Sequence, residues 1–123
     1  LIGEHTDYND GFVMPAAIDK EIVFAIAPSA DGISSIYSMN FSEHYAADLD
    51  NPQKVHKPRW ANYLLGVLRK LKDDNHKLMP FNCVVGGNVP SGAGVSSSAA
   101  LECGFIYALN ELNKLQLPHI DMI

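Results

Sequence analysis

Three consecutive serines behind a glycine-rich loop are the residues of this chain with the clearest chemical use. They lie in Gly86-Gly87-Asn88-Val89-Pro90-Ser91-Gly92-Ala93-Gly94-Val95-Ser96-Ser97-Ser98-Ala99-Ala100-Leu101-Glu102. Glycines at 92 and 94 allow positive φ and leave no side chain between an approaching anion and the backbone N–H groups. A helix beginning near Ser97 or Ser98 adds unsatisfied N–H groups and about half a positive charge at its first turn. Together these form an anion site, and phosphate is the anion it suits. A tight turn with a serine cap would account for the same loop. A cap uses one hydroxyl, however, and the surplus hydroxyls suit phosphate hydrogen bonds and a magnesium ligand.

A second polar cluster lies at the other end of the chain, in Glu4-His5-Thr6-Asp7-Tyr8-Asn9-Asp10-Gly11. Two carboxylates flanking a histidine and a threonine suit a sugar, whose vicinal hydroxyls are bound by acceptors able to take two of them at once. A solvated turn signalled by Asp10-Gly11 is the alternative. Calcium does not fit: counted from Asp7, Gly11 comes one residue too early for an EF-hand and Ile18 replaces the distal glutamate. Zinc does not fit either, because His5, His44, His56, His76 and His119 show no paired ligand spacing.

The elements that must carry these loops are legible as periodicities. Glu21 to Pro28, Ile33 to Met39 and His44 to Leu49 read as three antiparallel strands of a meander. A polar connection from Asp50 to Pro58 leads to an amphipathic helix from about Arg59 to Asp73, striped by Trp60, Tyr63, Leu64, Val67, Leu68 and Leu71. Phe81 to Val85 reads as a buried strand feeding the serine loop, and the helix after it is expected to bury Leu101, Phe105, Ala108, Leu109 and Leu112. Strands before and between two helices make the fold class α+β, with helices on one face of a largely antiparallel sheet.

The serine loop is not a Walker loop, since no lysine follows its glycines, and it lacks the last glycine of both the dinucleotide fingerprint and the nucleophile elbow. Its pattern, Pro-x-Gly-x-Gly-Val-Ser-Ser-Ser-Ala-Ala, resembles the ATP-binding motif of the superfamily of galactokinase, homoserine kinase, mevalonate kinase and phosphomevalonate kinase. Leu1-Ile2-Gly3-Glu4-His5-Thr6-Asp7-Tyr8-Asn9-Asp10-Gly11 and its continuation to Asp19 resemble the galactokinase signature. The resemblance implies the amino-terminal domain of the galactokinase-type fold, similar to the second domain of ribosomal protein S5. It implies transfer of the γ-phosphoryl of ATP to the 1-hydroxyl of α-D-galactose, with Mg²⁺ as cofactor.

By that resemblance Glu4, His5 and Asp7, with Thr6 among them, bind the sugar. Gly92, Ala93, Gly94, Val95, Ser96, Ser97 and Ser98 hold the ATP phosphates, and Ser98 ligates the metal. Ser38 lies on a strand near the nucleotide, and Trp60 and Tyr63 either border the adenine or belong to the core. The family's arginine and its catalytic aspartate fall outside residues 1–123, so no catalytic residue is expected within them and the segment alone is expected to be inactive. Another kinase of the superfamily, a catalytically silent galactose and ATP sensor, and a plain structural domain are the alternatives.

The 123 residues, 47% hydrophobic and 19% charged, suffice for one core. A net charge of −5 gives no broad basic face for nucleic acid. The longest apolar run, Ile22 to Ala27, is far below the roughly 20 residues of a membrane span. Two cysteines, Cys83 and Cys103, fit neither a metal site nor a disulfide framework and point to the cytoplasm. Leu1-Ile2 reads as the end of a strand and Leu117 to Ile123 as the start of a helix. Residues 1–123 are therefore expected to be a partial amino-terminal sugar- and ATP-binding domain whose partner is the remainder of the same polypeptide.

Overall fold

Apolar residues alternate with polar or small ones along the strands, so only one face of a sheet formed from them needs cover. The computed structural model describes residues 18–90 and 94–122. Its elements are β1 (Ile22–Pro28), β2 (Ser34–Ser38), β3 (Glu43–Ala47), α1 (Ala61–Asp73), β4 (Phe81–Gly87), α2 (Ser97–Asn113) and a closing 3-10 turn, His119–Met122. The four strands form one sheet in the order β1-β4-β2-β3.

That order corrects the expected meander. β2 and β3 form an antiparallel hairpin, but β1 and β2 are separated by β4, which pairs antiparallel with β1 and parallel with β2. The connection between β1 and β2 crosses the entry of β4: the Ser29 N–H donates to Pro80 O at 2.9 Å. Asp31 steadies that connection by accepting from the Ser29 hydroxyl and the Ile33 N–H. The hydroxyl, more than any other neighbour, holds the Asp31 carboxyl below the usual carboxylate range. Three short runs in a row suggest local pairing, but the parallel step from β2 to β4 needs a long crossover. The segment containing β3 and α1 supplies it.

The covered face carries Ile36, Phe81, Cys83 and Val85, while Val84 opposite them is exposed. The run from Phe81 to Val85 is thus half-buried rather than buried throughout. Helix α1 buries Ala61, Leu64, Leu65, Leu68 and Leu71 against this face. In α2 the expected apolar set is only partly engulfed: Phe105 and Leu109 are buried, whereas Leu101, Ala108 and Leu112 are half-buried. Phe105 packs with Phe24 and Phe81, at ring-centroid distances of 6.1 and 5.8 Å.

Two glycines show where backbones approach closely. At Gly87 a Cβ would lie 2.2 Å from Glu21 O, a backbone atom that cannot swing away, whereas at Gly66 in α1 a Cβ would meet nothing within 4 Å. Gly87→Ala should therefore destabilise the protein by about 1–3 kcal/mol through forced backbone movement. Gly66→Ala should stabilise it by about 0.5–1 kcal/mol, by lowering the entropy cost of the helix. Urea unfolding of both variants beside the parent checks the pair, and equal effects of the same sign would contradict the packing at Gly87.

Candidate functional site

The serine loop begins where β4 ends, and the strand's last residues are held from both sides. Asn40, just past β2, uses its side-chain amide as a strand residue would: Nδ2 donates to Gly87 O at 2.8 Å and Oδ1 accepts from Gly87 N at 3.0 Å. On the other side the Glu21 N–H donates to Asn88 Oδ1 at 2.8 Å, and the Asn88 N–H donates to Glu21 O at 3.1 Å. The chain therefore enters the loop from a fixed point. Sequence reading gave neither Asn40 nor Asn88 a role at this loop; their position at the strand exits was the available signal.

Gly92 and Ala93 lie outside the described residues, and the loop is seen again at Gly94. Gly94 has φ of +68°, the left-handed conformation expected of it, and Ser96 also has positive φ, +55°. For a residue with a Cβ that conformation costs roughly 1–2 kcal/mol, and such strain concentrates at functional sites. Ser96 occupies the N-cap position of α2 but makes no side-chain cap hydrogen bond. The reading of one serine as a cap is thus unmet at Ser96, and among the described residues no serine side chain caps the start of α2.

Gly94, Val95, Ser96 and Ser98 are exposed and Ser97 is half-buried, so the start of α2 is open to a ligand. A concavity of about 410 Å³ adjoins it, lined in part by Lys20, Val95, Ser96 and Cys103. Lys20, which sequence reading passed over, lines that concavity and pairs with Asp19 at 3.5 Å. Among the described residues no group of three or more His, Cys, Asp or Glu side chains could hold a metal ion. A metal here would rely on the Ser98 hydroxyl and on oxygens of its own ligand, as Mg²⁺ on a nucleotide does.

The remaining candidates are divided. Glu4, His5, Thr6 and Asp7 lie outside the described residues. Ser38 is 4% exposed, at the end of β2 opposite Val85. Trp60 and Tyr63, expected on one helix face, differ in environment: Trp60 is 8% exposed and joins the core, while Tyr63 is 45% exposed. The Trp60 indole N–H donates to Glu43 Oε2 at 2.7 Å. Phe41 stacks on the same ring with centroids 6.5 Å apart and an interplanar angle of 7°. Between them in sequence, Asn62 fixes the preceding connection by bonding both Val55 N and Val55 O.

This arrangement, a mixed sheet backed by two helices with a serine-rich turn leading onto an uncapped helix start, is that of a known kinase domain. A family model for the GHMP kinases N terminal domain matches residues 62–123, and the chain belongs to that family. A second model, the galactokinase galactose-binding signature, matches residues 1–28. Within the family its similarity is to galactokinases. It is 43% identical to the galactokinase of Thermosipho africanus over all of this chain and 33% of that protein. It is 41% identical to that of Chloroflexus aggregans over 95% of this chain and 30% of that protein. The chain thus spans about a third of the length of the curated relatives it matches.

Among solved structures, Lactococcus lactis galactokinase complexed with galactose superposes with a TM-score of 0.88 at 34% identity, covering 99% of this chain and 32% of that one. Mevalonate kinase of Methanococcus jannaschii, at 17% identity, has a TM-score of 0.69 over 82% of this chain and 33% of that one, and shares the fold. No helix among the described residues is long and apolar enough to cross a membrane.

The two thiols differ in environment. Cys83 is buried on the covered face of β4, and burial pushes its pKa up to about 12; Cys103 is half-buried beside the serine loop. At neutral pH Cys83 is therefore a protonated, inert thiol. Iodoacetamide at pH 8 should alkylate Cys103 in the native protein and Cys83 only after unfolding, read by peptide mass spectrometry. Native labelling of Cys83 at the rate of Cys103 would contradict its burial.

Proposed function

We propose that these residues form a partial amino-terminal, sugar- and ATP-binding domain of a galactokinase, and that the full-length protein transfers the γ-phosphoryl of ATP to the 1-hydroxyl of α-D-galactose. The observation that carries the proposal is the pairing, in one chain, of the galactose-binding signature over residues 1–28 with an exposed, uncapped α2 start behind Gly94 and Ser96.

Phosphoryl transfer asks little covalent chemistry of the protein; rate comes from positioning and from stabilising charge. The N–H groups at the start of α2 and the hydroxyls of Ser96, Ser97 and Ser98 donate to the triphosphate, and residues 92–95 let it reach the backbone. Lys20 adds positive charge at the adjoining concavity. Mg²⁺, bound by Ser98 together with the nucleotide, would neutralise charge on the phosphates. Glu4, His5, Thr6 and Asp7 bind the sugar hydroxyls, and Trp60 and Tyr63 border the adenine, with Ser38 on a strand near the nucleotide. The proton-accepting group and the domain that closes over the substrates belong to the rest of the polypeptide. Free thiols at Cys83 and Cys103 support a cytoplasmic location.

Two variants of the full-length protein separate the two ligand sites. Gly94→Val places a β-branched side chain where φ is positive, and should weaken ATP roughly tenfold or more while galactose affinity is unchanged. Asp7→Ala removes a charged acceptor worth on the order of 1.5–3 kcal/mol, and should weaken galactose roughly 10- to 150-fold with ATP affinity unchanged. Calorimetric titration with each ligand and production of galactose 1-phosphate by the parent are the measurements. Binding of both ligands without turnover would make the protein a sensor, and parental affinities in both variants would dissolve both sites.

A further inference from the structure

We infer that residues 40–43, which run from the β2–β3 turn into the first residue of β3, are a brace for the nucleotide, in which Glu43 and Phe41 act as positioning residues for Trp60. This inference rests on the ATP reading above and adds to it the residues that set the base end of the site against the phosphate end.

The segment reaches two separated parts of the molecule. Its first residue, Asn40, is bonded through both amide atoms to Gly87, where β4 releases the chain into the serine loop. Its last residue, Glu43, accepts the indole N–H of Trp60 at the start of α1. Between them Ser42 has φ of +52°, a left-handed kink that turns the chain so that the Phe41 ring and the Glu43 carboxylate reach the same indole. One short segment is therefore tied to the stem of the phosphate loop and to the aromatic proposed for the adenine.

The physics of each contact favours fixed orientation over mere burial. A buried indole N–H must find an acceptor, and a carboxylate is a stronger one than a backbone carbonyl. Phe41 remains 53% exposed, so its ring is held mainly by lying flat on the indole and contributes little to the core. An aromatic locked on one face and at its only donor loses little freedom when a base arrives. Without these partners Trp60 would keep its place in the core at the head of α1, but its indole N–H would lose its acceptor and its ring the cover of Phe41.

The test uses the full-length protein, with ADP as the binding probe and steady-state kinetics for ATP and galactose. Glu43→Ala should raise Kd for ADP and KM for ATP about tenfold and leave kcat and galactose affinity within twofold, while the urea midpoint falls because the indole N–H loses its acceptor. Glu43→Gln keeps an oxygen that accepts the indole N–H, and should restore most of the lost affinity. Trp60→Leu should weaken ADP at least as much as Glu43→Ala. If Glu43→Ala does not fold, Phe41→Leu, at an exposed ring, should show the same rise in KM for ATP. Weakening by Trp60→Leu with parental affinity in Glu43→Ala and Phe41→Leu would overturn the brace and leave the ATP reading intact. Loss of kcat and galactose affinity along with ADP affinity would make Glu43 a structural residue and also overturn it. Failure of the parent to bind ADP would remove both readings.

Discussion

β4 is hydrogen-bonded along both edges, antiparallel to β1 and parallel to β2, and the serine loop and α2 are its direct continuation. A strand held on two sides cannot slip in register without turning Phe81, Cys83 and Val85 out of the core. The point at which the chain leaves the sheet is therefore fixed by burial. Helix α2 returns over the same face and is pinned by Phe105 between Phe24 and Phe81. Both flanks of the loop are anchored in one core, and the exposed residues between them are freed from structural duty. That division lets Gly94 and Ser96 adopt left-handed conformations that a helix or strand could not accept.

The ends of the elements are held by asparagines. Asn40 and Asn88 bind backbone groups on opposite sides of the β4 exit, Asn62 binds Val55, Asn110 accepts the Leu117 N–H, and Asn113 accepts the Met79 N–H. Each primary amide can donate and accept as a peptide does, so it continues a hydrogen-bonding pattern where the backbone turns away. The start of α2 has no such residue at its cap position. Neither helix start has a side-chain cap: Trp60 at α1 and Ser96 at α2 hold the cap position without bonding the first turn.

The motifs were legible because their chemistry is local. Gly94 needs positive φ, serines suit a helix start, and a stripe at 3.6-residue spacing locates α1 to its end at Asp73 and to within two residues of its start at Ala61. Tyr63 and Trp60 were not separable in this way. They are three residues apart on a helical pattern, yet one lies under Phe41 and beside Glu43 while the other faces out. Nothing in the spacing of Phe41, Glu43 and Trp60 announces their meeting, because the β2–β3 turn and the head of α1 come together only through the packed sheet.

By itself the sequence determined the periodic elements and the family resemblance, since these depend on residues near one another in the chain. Strand order was decided by the tertiary structure. Three successive strands could have paired as neighbours, but β4 supplies Phe81, Cys83 and Val85 to the face that α1 and α2 cover, and it takes the central place between β1 and β2. The same packing decided which of the apolar residues of α2 are buried and which are left half-covered. It also brought Asn40 to the exit of β4, Glu43 to Trp60 and Lys20 to the concavity beside the start of α2. Long-range burial and hydrogen-bond satisfaction set those outcomes, and both depend on partners distant in sequence that only the folded chain brings into reach.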